Sequence, residues 1–321
     1  MKTLLAAQRA FFLFTAASLL ASCSAPAGSA PGLFPQQRSL AKSGRASDAL
    51  MYTGAANFVD VYTYPAGALE QTFTIKGNVN GMCSDSEGNV FIAAAPSKPS
   101  KSKSGFVYEY SHAGKTPIAT LEIPGHGIPI ACSSDPKSGN LAVTLQDSRD
   151  YAPSVAIYAK ATGTPKIYNS GAIGADPQIA YGASGDLLAT SGGNVAAELL
   201  KGKGKLQTIT LVQTLGGVRH VQWDGAHWAL ESFNALKHDR EKLIEQIYRV
   251  QISGSSGRVV GRTRFEPWLA RDPGESWIAG ATMVATPFSS IYFWAYPAGG
   301  KPFKAIRSAH HVKAITISSG E

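Results

Sequence analysis

The sequence predicts an all-β fold, specifically a six-bladed β-propeller in which the first strand closes the last blade. Three observations predict it. A strand-and-turn pattern recurs every 42–50 residues, tight turns rich in Asp, Gly and Asn fall at one place in the repeat, and the first strand matches the end of a repeat.

Residues 1–47 stand apart from the repeat. Met1 to Ser22 read as a signal peptide, with Lys2 and Arg9 ahead of the apolar run Phe11 to Leu20. Ten apolar residues are too few to span a bilayer permanently. The next segment, Leu20-Ala21-Ser22-Cys23, resembles the lipobox of bacterial lipoproteins. That resemblance implies cleavage before Cys23 and acylation of its thiol. With Ser24 following, it also implies residence in the outer membrane. Residues 23–47 are small, polar and proline-containing and are expected to be a flexible tether. The bacterial membrane is thus the first expected partner.

Residues 48–321 carry the repeat. Its first strand is FVDVYTY, GFVYEY, SVAIYAK, VAAELLK, IYRVQI or IYFWAYP; QTFTIKG, IATLEIPG and LQTITLV are second strands. A small-residue stretch, a tight turn and a last strand complete each unit. The last turns read Asp85-Ser86-Glu87-Gly88-Asn89, Asp135 to Asn140, Gly185-Asp186, Asp224-Gly225 and Asp272-Pro273-Gly274-Glu275. Tyr62, Tyr110, Tyr158, Leu200, Val250 and Tyr296 mark a period of 48, 48, 42, 50 and 46 residues. Asp48 to Thr53 matches a last strand, and the C-terminus stops at the turn where such a strand is due. The first strand should therefore complete the sixth blade.

The VDVY-type strand and the D-x-x-G-N-hydrophobic turn at Asp85 to Val90 resemble those of NHL-repeat and gluconolactonase-like propellers. The resemblance implies the fold over residues 48–321. The metal-binding acid and asparagines of the gluconolactonases have no matching positions here.

Composition narrows the function. With 44% hydrophobic and 16% charged residues the chain is no disordered protein. Three cysteines exclude a disulfide-stapled miniprotein. The net charge is +8, or 8 − 2 = +6 once Lys2 and Arg9 leave with the expected signal peptide, and it suits an anionic envelope partner or lipid surface, but aromatic–basic interleaving is lacking, and nucleic acid is excluded as a partner. The sequence holds no G-x-S-x-G, H-E-x-x-H, C-x-x-C or P-loop motif.

Candidate site residues come from aligning the units on their last turns. Asn78 and Asn80, His126, Asp176, Arg219 and His220, Glu266, and His310 and His311 fall where loops lead into the innermost strands. Histidines and carboxylates around a channel mouth bind a divalent metal or a ligand, or else line a water-filled rim. Cys83 and Cys132 occupy matching positions. They pair, or they pack unpaired, and the spacing expected between neighbouring inner strands favours the second. The recurrent tyrosines argue for packing between blades. Two segments break the period. Pro96 to Ser104 forms a basic loop with Lys98, Lys101 and Lys103, and Ser232 to Gln246 is expected to form a short surface helix.

The expected function is a lipid-anchored cell-envelope binding or scaffold protein using propeller loops, with an envelope protein or polysaccharide as partner. A metal-dependent hydrolase or lactonase at the channel mouth is the alternative, and a structural lipoprotein of a larger assembly is the third.

Overall fold

The computed structural model describes residues 49–98, 104–169, 171–200, 202–236, 239–266, 273–287 and 289–320. The expected signal peptide, Cys23 and the segment up to residue 47 lie outside these, as do Lys101 and Lys103.

The described chain is all-β. Its strands are β1 (Ala49–Ala55), β2 (Phe58–Thr63), β3 (Leu69–Thr74), β4 (Asn78–Ser84), β5 (Val90–Ala95), β6 (Phe106–Tyr110) and β7 (Ala119–Glu122). Next come β8 (Gly127–Ser134), β9 (Leu141–Asp147), β10 (Pro153–Tyr158), β11 (Lys166–Asn169), β12 (Gln178–Tyr181), β13 (Leu187–Thr190) and β14 (Gly192–Leu199). The remainder are β15 (Gln207–Trp223), β16 (Trp228–Leu236), β17 (Asp239–Ser253), β18 (Ser256–Arg264), β19 (Pro273–Ala279), β20 (Thr282–Pro287), β21 (Ser290–Ala295), β22 (Lys304–Arg307) and β23 (Ala314–Ser319).

Four sheets have four strands: β23-β1-β2-β3, β4-β5-β6-β7, β8-β9-β10-β11 and β19-β20-β21-β22. The fifth has seven, β12 to β18, because β15 is continuous. Its first part pairs with β14 (Glu198↔Gln207) and its last part with β16 (Trp223↔Trp228). Divided at β15, this sheet is two further four-strand units. The N-terminal β1 pairs antiparallel with the C-terminal β23, from Ala49↔Ser319 to Gly54↔Ala314. Pairing the first strand with the last covers edges that would otherwise be left open.

The sheets meet through their innermost strands. β23 lies against β4, β4 against β8, β8 against β12, β12 against β15, β15 against β19, and β19 against β23 again, so the contacts run in a cycle. These strands run in the same direction. Cys83 and Asn80 of β4 meet Cys132 and Pro129 of β8 in the same order. Tyr181 of β12 meets Ser133 of β8, and Gln222 of β15 meets Ile278 of β19. The turn from first to second strand of every unit therefore lies at one end, which we call lower. Loops leading into the inner strands lie at the upper end.

Burial on both faces, as along β5 and β13, explains the packing. Val59, Val61, Ile92 and Val107, and the alanines 93, 94, 142, 189, 196 and 197, are completely buried. Small residues on inner and second strands let neighbouring sheets approach. Gly81 is the limiting case, since a Cβ there would overlap the carbonyl oxygen of Ile130 across β4 and β8. Tyr62, Tyr158 and Tyr296 are buried and tie one sheet to the next. The Tyr158 hydroxyl donates to Glu122 O at 2.9 Å, and that of Tyr296 donates to Asp224 at 2.7 Å.

Three expectations are corrected. Cys83 and Cys132 are joined in a disulfide, with Cα atoms 5.7 Å apart, because β4 and β8 pack closer than blade geometry suggested. The segment from Ser232 to Gln246 is no helix. β16 and β17 continue as a hairpin through Phe233↔Glu245 to Leu236↔Asp239, since the ladder satisfies the backbone that a lone short helix would leave half exposed. Finally, Pro273-Gly274-Glu275 is strand and not a last turn, while Asp272 of that expected turn lies outside the described residues. Pro273 begins β19, and the turn falls at Gly280, whose φ is +60°.

Candidate functional site

The predicted residues belong to loops and strand starts at the upper end, but they are spread around the cycle of sheets. His126 sits in a cleft with Pro124, Leu145, Asp147, Arg149 and Ile167. Arg149 donates to both carboxylate oxygens of Asp147, which holds that carboxyl well down, at about 2. Asp176 and Glu266 are exposed. The backbone N–H of Glu266 donates to Gly300 O. His310 Nδ1 lies 2.9 Å from Oδ2 of the buried Asp60, whose Oδ1 accepts from Thr72. Phe58 stacks on the His310 ring with centroids 4.3 Å apart. His311 is exposed beside it, and Asn78 begins β4.

Asn80, Arg219 and His220 lie on inner strands. Asn80 and Arg219 sit at bulges, between Val79 and Gly81 in β4 and between Val218 and His220 in β15. A comparable irregularity in β19 falls between Pro273 and Ser276 and carries Glu275. Bulges re-aim side chains and often mark functional positions. Those of β4 and β19 place Asn80 and Glu275 at the junction of β4, β8, β19 and β23. Asn80 donates to Pro129 O at 2.8 Å and accepts from Lys313 Nζ at 2.7 Å. The Glu275 carboxylate accepts from the backbone N–H groups of Ile315 and Met82, so one side chain links three inner strands. Its own N–H donates to Lys313 O.

Beside Glu275 lies a second buried group. Glu231 of β16 is 1% exposed, accepts from Ser276 Oγ, and stands opposite His220 in the β15–β16 register. His220 packs near Trp277, ring centroids 6.2 Å apart. Both His220 nitrogens, Glu231 Oε1, Glu275 Oε2 and Ser232 Oγ are buried without a hydrogen-bond partner. Such atoms are rare in native proteins and mark places where water or a ligand belongs. Burial pushes the Glu275 carboxyl well above the carboxylate range. Lys313 and the two amides oppose this, and Glu231 reinforces it. Burial pushes His220 down, with Glu231 opposing, so the imidazole is held neutral.

Chemically the junction accepts protons and hydrogen bonds. Among the described residues no three His, Cys, Asp or Glu side chains converge closely enough to hold a metal. The structure unites Asn80 with Lys313 and His220 with Glu231. It separates them from His126, Asp176, Glu266 and the His310–Asp60 pair. Sequence reasoning missed Glu231, Glu275 and Lys313. The one signal for Glu275 was the short apolar run Trp277-Ile278-Ala279 ending at Gly280, which suits a strand ahead of a turn.

No protein family matches the sequence, and no curated protein does. Among solved structures, the chain is similar to a protein of unknown function from Bacteroides caccae. The TM-score is 0.60 at 10% identity, over 85% of this chain and 99% of that one. At that identity the likeness is one of fold.

Proposed function

We propose that the six four-strand units are the blades of a closed six-bladed propeller of NHL-like type. On this reading β1 completes the last blade, and the protein is exported and anchored through acylated Cys23 to the bacterial outer membrane. It serves there as a binding or scaffold protein whose upper-end loops recognise an envelope protein or polysaccharide. The cyclic contacts between inner strands support the propeller, and the Cys83–Cys132 disulfide suits an oxidising compartment outside the cytoplasm.

One observation carries the recognition reading. The β16–β17 hairpin runs past Gly217↔Phe233, its last pairing with β15, and continues to Leu236↔Asp239. It is an added feature at the upper end, where the irregular loops gather, and loops on a rigid scaffold are the usual carriers of recognition. The test replaces residues 234–244 with Asn-Gly in the full chain, which keeps the Phe233↔Glu245 pairing, and measures retention of isolated envelope protein and polysaccharide. Loss of retention with an unchanged melting temperature supports the reading; equal retention by both proteins sinks it.

The alternative reading, a metal-dependent hydrolase or lactonase, has to draw on the unpartnered nitrogens of His220 and oxygens of Glu231 and Glu275, although among the described residues these side chains are not close enough together to hold a metal. Elemental analysis of the full chain after dialysis against zinc, calcium and manganese, beside His220→Ala, distinguishes it. Stoichiometric metal lost in the variant supports the enzyme, and no metal in either removes this reading.

A further inference from the structure

The lower end carries a feature that recognition at the upper end does not use. Its turns place Lys115 between β6 and β7, Lys137 between β8 and β9, and Lys160 between β10 and β11. Lys203 and Lys205 lie between β14 and β15, and Lys301 between β21 and β22. All six are exposed. Because the inner strands run in one direction, these turns share one end and surround it.

Glu87, in the β4–β5 turn of this end, is exposed like the lysines, but the four aspartates of its turns are engaged. Asp85 accepts from the backbone N–H of Glu87 and Asn89, Asp135 from that of Lys137, and Asp224 from those of Ala226 and His227. Asp186 accepts from Ser184 Oγ. These carboxylates cap turns next to the inner strands, and the lysines project from around them. The same end receives the N-terminal chain. Ala49, the first residue of β1, pairs with Ser319 at the finish of β23, and Ser318 Oγ donates to Gly88 O in the neighbouring lower turn. The described chain therefore begins, at Ala49, on the lysine side, opposite the irregular loops.

We propose that the lower end is a membrane-docking face that rests on anionic phospholipid headgroups and so presents the upper end away from the bilayer. The proposal rests on the reading of Cys23 as the anchor. Exposed ammonium groups near an anionic surface each add to binding, and their effect is screened by salt.

The test uses full chain carrying Cys23→Ala, so that no acyl chain contributes. Binding is measured to vesicles of 30% phosphatidylglycerol in phosphatidylcholine and to pure phosphatidylcholine. The readout is the ratio of the two affinities, which cancels any apolar contribution of the leader. Two charge-matched triples are compared: Lys115→Gln/Lys160→Gln/Lys203→Gln at the lower end, and Lys76→Gln/Lys98→Gln/Arg149→Gln at the upper. The lower triple is expected to reduce the ratio at least about tenfold, and the upper triple less than about twofold. A ratio near one for the parent, or equal losses in both triples, overturns the proposal. Acylation of Cys23 is read separately, by the mass of the chain with Cys23 intact. An acylated protein without phosphatidylglycerol preference rejects the docking face alone. An unacylated one rejects the anchor and, with it, the basis of the proposal.

Discussion

Cys83 and Cys132 are bonded across two sheets although they stand one step out of register. Ser84 pairs with Val90 at the end of β4, and Ser134 with Leu141 at the end of β8, so Cys132 lies one residue further from its strand end than Cys83. Both cysteines are buried, next to Phe91 and Val143. The bond closes a loop with a sequence separation of 49. By loop-closure entropy this contributes about 4 kcal/mol at 25 °C. Cys83→Ala/Cys132→Ala should therefore lower the melting temperature by about 8 °C, at roughly 2 °C per kcal/mol for a chain of this size. A reductant should affect the parent and leave the double variant unchanged. Equal melting of parent and variant would show that the cysteines matter only as packing.

Closure by β1 makes a second prediction. Met51 is completely buried between β23 and β2, packed with Ile317, Ile291 and Phe293. Met51→Ala removes buried methylenes that nothing can replace and should cost about 2–5 kcal/mol. Ile118→Ala, at a residue 59% exposed, should cost under about 0.5 kcal/mol. Deleting residues 49–55 exposes the edges of β23 and β2 together, and the protein should lose its cooperative thermal transition. A deletion variant that still melts sharply would mean that the last sheet holds without its N-terminal strand.

The all-β class and the pairing of the first strand with the last were legible in the sequence because both rest on local, repeated signals. Alternation in Phe58 to Thr63 and the Asp85 turn report backbone conformation directly. The candidate site was legible only as a register. His126, Asp176 and His310 do share the upper end, but residues at equivalent places in successive units belong to different sheets. What meets at the junction of the inner strands depends on side-chain length and on bulges. Glu275 was hidden because Pro273-Gly274 imitates a turn, and Glu231 because it reaches its partner Ser276 from a second strand. The continuity of β15 had no signal, since Gly216-Gly217 reads as a break where the chain stays extended.

The Glu275 carboxylate gives a pH prediction whose sign follows from its surroundings. Burial raises its folded-state pKa well above the ordinary 4.5, against Lys313 and the amides of Ile315 and Met82. A group with a raised folded pKa contributes stability fully below its unfolded pKa and loses it as pH rises through the folded pKa. Above pH 4.5, then, ionising Glu275 works against the fold, by up to about 1.4 kcal/mol per pH unit until the folded pKa is reached. Glu275→Gln keeps an oxygen to accept from Ile315 and Met82 and removes the buried charge. Lys313 loses its counter-charge but is exposed and retains Asn80. The variant should therefore gain stability relative to the parent as pH rises from 5 to 8, and the gain should vanish near pH 4. Comparing parent with variant at each pH cancels His220, whose lowered pKa acts in the opposite sense as pH falls below about 6.5. Urea melts of both proteins across that range decide it. A constant difference between them would mean that Glu275 is ionised throughout, with Lys313 and the two amides outweighing its burial.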